Sequence, residues 1–100
     1  MGSTSTAPRA SLSPGTVSPR RAVPSAIQRP EYVDRPAPAP FGGTDIQTEE
    51  TIAAMRVAGR IAANALQEVG RHIQPGVTTD ELDSIGHEFL CDHSAYPSTL

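Results

Sequence analysis

The run Thr48-Glu49-Glu50-Thr51-Ile52-Ala53-Ala54-Met55-Arg56-Val57-Ala58-Gly59-Arg60-Ile61-Ala62 decides how this chain folds. So does Pro75-Gly76-Val77-Thr78-Thr79-Asp80-Glu81-Leu82-Asp83, which follows after a short gap. Together with Tyr96-Pro97-Ser98-Thr99-Leu100 they read as helix, turn, helix and the start of an extended segment. The first helix starts at Thr48, whose hydroxyl can cap an exposed amide. Glu49 and Glu50 follow where the helix dipole favours negative charge. Apolar positions then recur at 52, 55, 59 (Gly), 62, 66 and 69, with Ala58, Ile61 and Ala65 widening the stripe. That is helical spacing, and Arg56, Arg60, Asn64 and Gln67 fall on other faces. Gly59 costs about 1 kcal/mol of helix propensity relative to Ala. Close approach of another element at the small residues Ala58, Gly59, Ala62 and Ala63 would offset it. Gly70 weakens the helix end and Pro75 stops it. His72 fits there as a favourable charge on the helix C-terminus.

Pro75-Gly76 signals a turn. Thr78-Thr79-Asp80-Glu81 is a Thr-x-x-Glu capping box, in which the Thr hydroxyl takes the amide three residues on and the Glu carboxylate returns to the Thr amide. The second helix carries Leu82, Ile85, Gly86 and Phe89 on one stripe with Leu90 beside it, and fades over residues 92–94. Pro97 excludes further helix, so residues 96–100 are expected to be extended.

Residues 1–44 are of another kind. Eight of the ten prolines fall within residues 1–40, and Leu12, Val17, Val23 and Ile27 are isolated among them. Each proline removes an amide donor and pushes its predecessor toward extended geometry. A mostly disordered arm is expected over residues 1–44, with 45–100 as the part able to fold. Within the arm, Ile27, Tyr32 and Val33 are the residues able to anchor it on a neighbouring surface. No two prolines lie three apart, so the arm lacks the Pro-x-x-Pro spacing of a docking peptide. Charge divides at the same boundary. The arm has five arginines against Glu31 and Asp34, and the rest has three arginines against nine acids, giving the chain its net −3. Five arginines over some forty residues carry no specific nucleic-acid motif.

The single cysteine, Cys91, excludes an internal disulfide and fits a reducing cytoplasm. No apolar run approaches the ~18 residues of a membrane helix, so no membrane partner is expected. Met1-Gly2 with Thr6 meets the loose acylation pattern that short Ser/Thr runs meet by chance. Two stripes over some 56 residues bury little, and a core of that size is marginal. The chain is therefore expected to need the rest of a larger domain.

Three constellations could carry chemistry. His87-Glu88-Phe89-Leu90-Cys91 resembles His-Glu-x-x-His with Cys in the fifth place, and Asp92 and His93 lie beside it. A metal there lacks further ligands from a second segment, so no metal site is assigned to this chain. Asp80, Glu81 and Asp83 cluster at a helix start, where capping and the dipole account for Asp80 and Glu81. Ser11, Ser13, Ser25 and Ser98 have no His and Asp placed to activate them. No catalytic residue is assigned.

The order of these motifs resembles the opening of a type I methionine aminopeptidase. Met55-Arg56-Val57-Ala58-Gly59-Arg60, the Pro75-Gly76-Val77-Thr78-Thr79 turn and Tyr96-Pro97-Ser98-Thr99-Leu100 carry the likeness. The proline-rich arm with Arg29-Pro30-Glu31-Tyr32-Val33 resembles the extended actinobacterial form. The resemblance implies an α/β pita-bread fold and a metalloprotease, a hydrolase that removes the initiator methionine from nascent proteins. It implies two divalent metal ions per site, whose ligands in family order all follow residue 100. This chain would then be the N-terminal helical part of that catalytic domain, inactive alone, with its helices covering a later sheet. Thr99 matches a position at the rim of the pocket for the methionine side chain. The implied partners are nascent polypeptide N-termini and, through the arm, the ribosome. The competing reading is a small helical-hairpin interaction protein with a proline-rich docking arm.

Overall fold

A computed structural model describes residues 12–100 of the chain; the Met1-Gly2 pattern, Ser11 and the start of the arm lie outside the described residues. Two helices form, α1 over Glu49–Arg71 and α2 over Thr79–Asp92. No strand occurs among the described residues.

Each helix starts where its cap dictates. Thr48 is extended, and its Oγ1 accepts the Thr51 amide at 3.1 Å. Glu49 and Glu50 occupy the first turn. Thr78 closes the full capping box: its Oγ1 accepts the Glu81 amide at 3.1 Å, and its own amide donates to Glu81 Oε2 at 3.3 Å. The connection is tight, with the Val77 amide on the Gln74 carbonyl and Gly76 at φ 93°. That left-handed geometry is open to glycine at no steric cost.

The C-terminal ends differ. At α1, His72 donates its amide to Val69, and its Nδ1 lies 2.9 Å from the Glu68 carbonyl oxygen. At α2 the Ser94 amide reaches the Cys91 carbonyl and the Ala95 amide reaches Leu90 at 2.8 Å, with Ser94 at φ 58°. This is the Schellman closure, built on a serine where glycine is usual.

Packing is one-sided. Gly86 of α2 meets the other helix, since a Cβ there would sit 3.3 Å from Val69 Cγ2. Ala65 is the buried residue of α1. Gly59 departs from expectation: nothing lies within 4 Å of a Cβ built on it. The cause is length. At 1.5 Å per residue α2 spans about 21 Å against about 35 Å for α1, so it covers only the C-terminal half. Ile52, Met55 and Val57 therefore stay exposed, and Leu66 is 76% exposed. The two apolar stripes do not face each other along their length. Among the described residues no side chain is fully buried. Neither helix is long and apolar enough to cross a membrane.

The stretch 96–100 also departs from expectation. It bends into a turn, with the Leu100 amide on the Pro97 carbonyl at 3.2 Å, where a strand start was predicted. No neighbouring strand offers the ladder bonds that would hold it extended.

Residues 12–44 contain no helix or strand. They form turns in which the Ile27 amide bonds Pro24, Val33 bonds Pro30 and Arg35 bonds Tyr32. Ile27 is only 6% exposed, and Tyr32 and Val33 are half-buried. Arm residues 18–22 lie against α2, through contacts described below.

Thr78→Ala in the protein encoded by the complete reading frame is expected to cost about 1 kcal/mol in denaturant unfolding. Thr79→Ala, one position inside the helix, is expected to cost clearly less. Equal losses would count against the observed cap.

Candidate functional site

The acidic start of α2 is where the chain concentrates its polar contacts. Glu81 is used by the capping box. Asp80 and Asp83 project from the same turn toward the arm. The Ser18 amide donates to Asp80 Oδ1 at 3.0 Å and the Ser18 hydroxyl donates to Oδ2 at 2.6 Å. Arg21 adds three bonds: Nη2 to the Asp80 carbonyl at 3.0 Å and to Oδ1 at 3.2 Å, and Nε to Asp83 Oδ2 at 3.0 Å. Both carboxylate oxygens of Asp80 are thus engaged. These donors, the Ser18 hydroxyl first, hold the Asp80 carboxyl below its ordinary value of 3.8, against a smaller opposing effect of burial. Dipole complementation, the role expected of Asp80, is accompanied by a second one. It ties the arm to the helix.

About two turns on from Asp80, His87 continues the seam. It is 9% exposed, and its Nε2 lies 2.8 Å from the Ala22 carbonyl oxygen. A carbonyl oxygen only accepts, so Nε2 carries the proton. His87 is thereby turned to the arm and away from solvent.

That placement bears on the metal reading of His87, Cys91, Asp92 and His93. His93 stacks on Phe89 with ring centroids 4.1 Å apart, and its Nδ1 lies 2.8 Å from the Phe89 carbonyl oxygen. Cys91 is half-buried, and burial together with the Asp92 charge pushes its thiol up, away from the thiolate that binds metal. Among the described residues no three His, Cys, Asp or Glu side chains converge on a point that could hold a metal ion. His87 and His93 are instead turned to the Ala22 and Phe89 carbonyls.

Thr99 lies on an open groove of about 470 Å³ between the helices and the 97–100 turn. Leu66 and Val69 of α1 and Leu82, Gly86 and Leu90 of α2 line it with Thr99. The walls are mostly apolar, and Thr99 supplies one of the few polar groups.

Sequence reasoning did not single out Ser18 or Arg21, and it named Arg29 only within the Arg29-Pro30-Glu31-Tyr32-Val33 motif, with no role of its own. Arg29 donates from Nη1 to the Pro24 and Ile27 carbonyls at 2.9 and 2.8 Å and from Nη2 to Val23 at 2.8 Å. Its guanidinium carbon lies 5.8 Å from the centroid of the Tyr96 ring. The opposite charges of arm and body were the available signal. They did not indicate which arginine meets which acid.

Asp80 gives the seam a sign in pH. A depressed folded-state value means that its contribution is present above the ordinary carboxylate range and is lost as pH falls through the lowered value. The Ser18 amide resonance is expected to follow one titration with a midpoint below 3.8. Asp80→Asn is expected to abolish that titration. A midpoint at or above 3.8 would show that the contact is absent in solution.

Residues 53–99 match the sequence profile of metallopeptidase family M24. The chain is similar to methionine aminopeptidase 2 of Mycobacterium tuberculosis, at 60% identity over 92 residues, covering 92% of this chain and 32% of that protein. It is 43% identical over 93 residues to the chloroplastic/mitochondrial methionine aminopeptidase 1D of Arabidopsis thaliana, covering 92% of this chain and 27% of that one. It is 40% identical over 89 residues to the mitochondrial methionine aminopeptidase 1D of Dictyostelium discoideum, covering 86% and 22%. The chain spans about a third or less of the length of these curated relatives.

Proposed function

We propose that this chain, whose residues 53–99 match the profile of metallopeptidase family M24, is the N-terminal segment of a methionine aminopeptidase. That enzyme removes the initiator methionine from nascent proteins. The observation that carries the reading is the 60% identity to a methionine aminopeptidase over 92% of this chain, arm included. The order Met55-Arg56-Val57-Ala58-Gly59-Arg60, Pro75-Gly76-Val77-Thr78-Thr79, Tyr96-Pro97-Ser98-Thr99-Leu100 supports it.

In this reading residues 1–44 are the N-terminal extension and residues 45–100 open the catalytic domain, an α/β pita-bread fold. The exposed apolar side of α1, with Ile52, Met55 and Leu66, then lies against the rest of that domain. The catalytic divalent ions, two per site, are held by residues outside this chain. Thr99 is the contribution of this chain to the substrate side. A small side chain on a largely apolar groove suits the border of a slot for an unbranched thioether. The partners are nascent polypeptide N-termini, with the arm reaching toward the ribosome, in the cytoplasm.

The test is direct. The protein from the complete reading frame, supplied with cobalt or manganese, is expected to release free methionine from a Met-Ala-Ser peptide. The 100-residue chain is expected to release none above a metal-only blank, because metal activation of water needs an open coordination position in a shaped cavity. Release by the 100-residue chain, abolished by His87→Ala, would place the chemistry in the local cluster and overturn this reading.

A further inference from the structure

The arm does more than lie along α2. Its residues 23–29 form a closed loop whose knot is a single side chain. The guanidinium of Arg29 gathers the carbonyls of Val23, Pro24 and Ile27 within 2.8–2.9 Å. Opening the loop exchanges three bonds from one charged donor for bonds to water. Ile27, with its amide on Pro24, is 6% exposed and fixes the loop against the body. The same guanidinium lies over the Tyr96 ring at 5.8 Å, within cation–π range. Tyr96 is followed by Pro97, which is buried, and by the turn that bonds the Leu100 amide to the Pro97 carbonyl. A cavity of about 210 Å³ lies between arm and turn, with Arg29 and Val33 on one side and Tyr96 and Leu100 on the other.

Thr99 sits inside this turn, three residues from the ring that Arg29 covers. Its own helices do not hold it: α2 ends at Asp92, and residues 95–100 have no ladder of hydrogen bonds. Arm contact therefore supplies a restraint that the local sequence lacks.

We infer that Arg29 is a positioning residue for substrate side-chain selection: it closes the 23–29 loop into a pedestal that carries Tyr96 and so sets where Thr99 stands. This rests on the aminopeptidase reading for the role of Thr99, while the pedestal itself rests on geometry alone. Arg29 touches neither substrate nor metal in this scheme. Lysine does not substitute fully, because an ammonium lacks the planar fork that serves three carbonyls.

The experiment uses the protein from the complete reading frame and two readouts. Amide exchange at Leu100 reads the turn. The ratio of kcat/KM for methionyl-Ala-Ser over norvalyl-Ala-Ser reads selection: norvaline lacks the thioether sulfur, a group about the size of a methylene, and one methylene is ordinarily worth about 10–200-fold. Arg29→Met is expected to speed Leu100 exchange about tenfold and to lower the selectivity ratio roughly threefold or more, through KM for the methionyl peptide with kcat little changed. Arg29→Lys is expected to fall between, and Tyr96→Leu to match Arg29→Met without adding to it in the double variant. Faster exchange with an unchanged ratio would overturn the positioning role and leave the aminopeptidase reading intact. A change in kcat alone, or unchanged exchange, would overturn the pedestal. A wild-type protein that releases no methionine would sink the aminopeptidase reading and the selection role with it, and Leu100 exchange would still judge the pedestal.

Discussion

The carboxylate of Asp80 is the point on which the ordered part of this chain turns. It stands in the first turn of α2, where the helix dipole already favours it. It also accepts from the amide and hydroxyl of Ser18 and from Arg21. Individually such half-exposed ion pairs contribute little, about 0–1 kcal/mol. Here they act together with the His87 bond to Ala22 and the burial of Ile27. Several weak contacts along one seam share the entropic cost of ordering the arm once. That is how a segment with scattered apolar residues and no secondary structure still acquires a defined path.

Local chemistry was legible in the sequence, and distant pairing was not. Both helix starts followed from Thr48 and from Thr78 with Glu81, because a cap is decided within four residues. The end of α1 near Gly70 followed from backbone propensity. The end of α2 was placed correctly without its means: Ser94 takes the left-handed position that glycine would announce. Gly59 was misread as a packing site because periodicity shows which side of a helix is apolar, not how far along it a partner extends. The 96–100 turn was misread because proline excludes helix without requiring a strand. The use of His87, against the Ala22 carbonyl, needed the arm's fold to become visible.

The exposed apolar side of α1 has a physical meaning beside the sequence likeness. Ile52, Met55 and Leu66 sit at helical spacing and are all more than 40% exposed. Leaving such a stripe in water forgoes roughly 25 cal/mol for every square ångström of apolar surface. The stripe is continuous with the motif that carries the family likeness, and the relatives are about three times longer than this chain. In the proposed reading the helices are one layer of something thicker. The arm, by contrast, has its partner within these residues.

The reach of the seam has a consequence for the order of events during synthesis. Ser18 and Asp80 are 62 positions apart in the chain. At roughly 5–20 residues per second, Asp80 is made about 3–12 s after Ser18. Throughout that interval the arm is synthesised but has nowhere to dock. α2, capped at both ends by its own residues, needs no distant contact to begin forming. Docking therefore waits on translation rather than on any intrinsic barrier, and the arm is the first part made and among the last to settle.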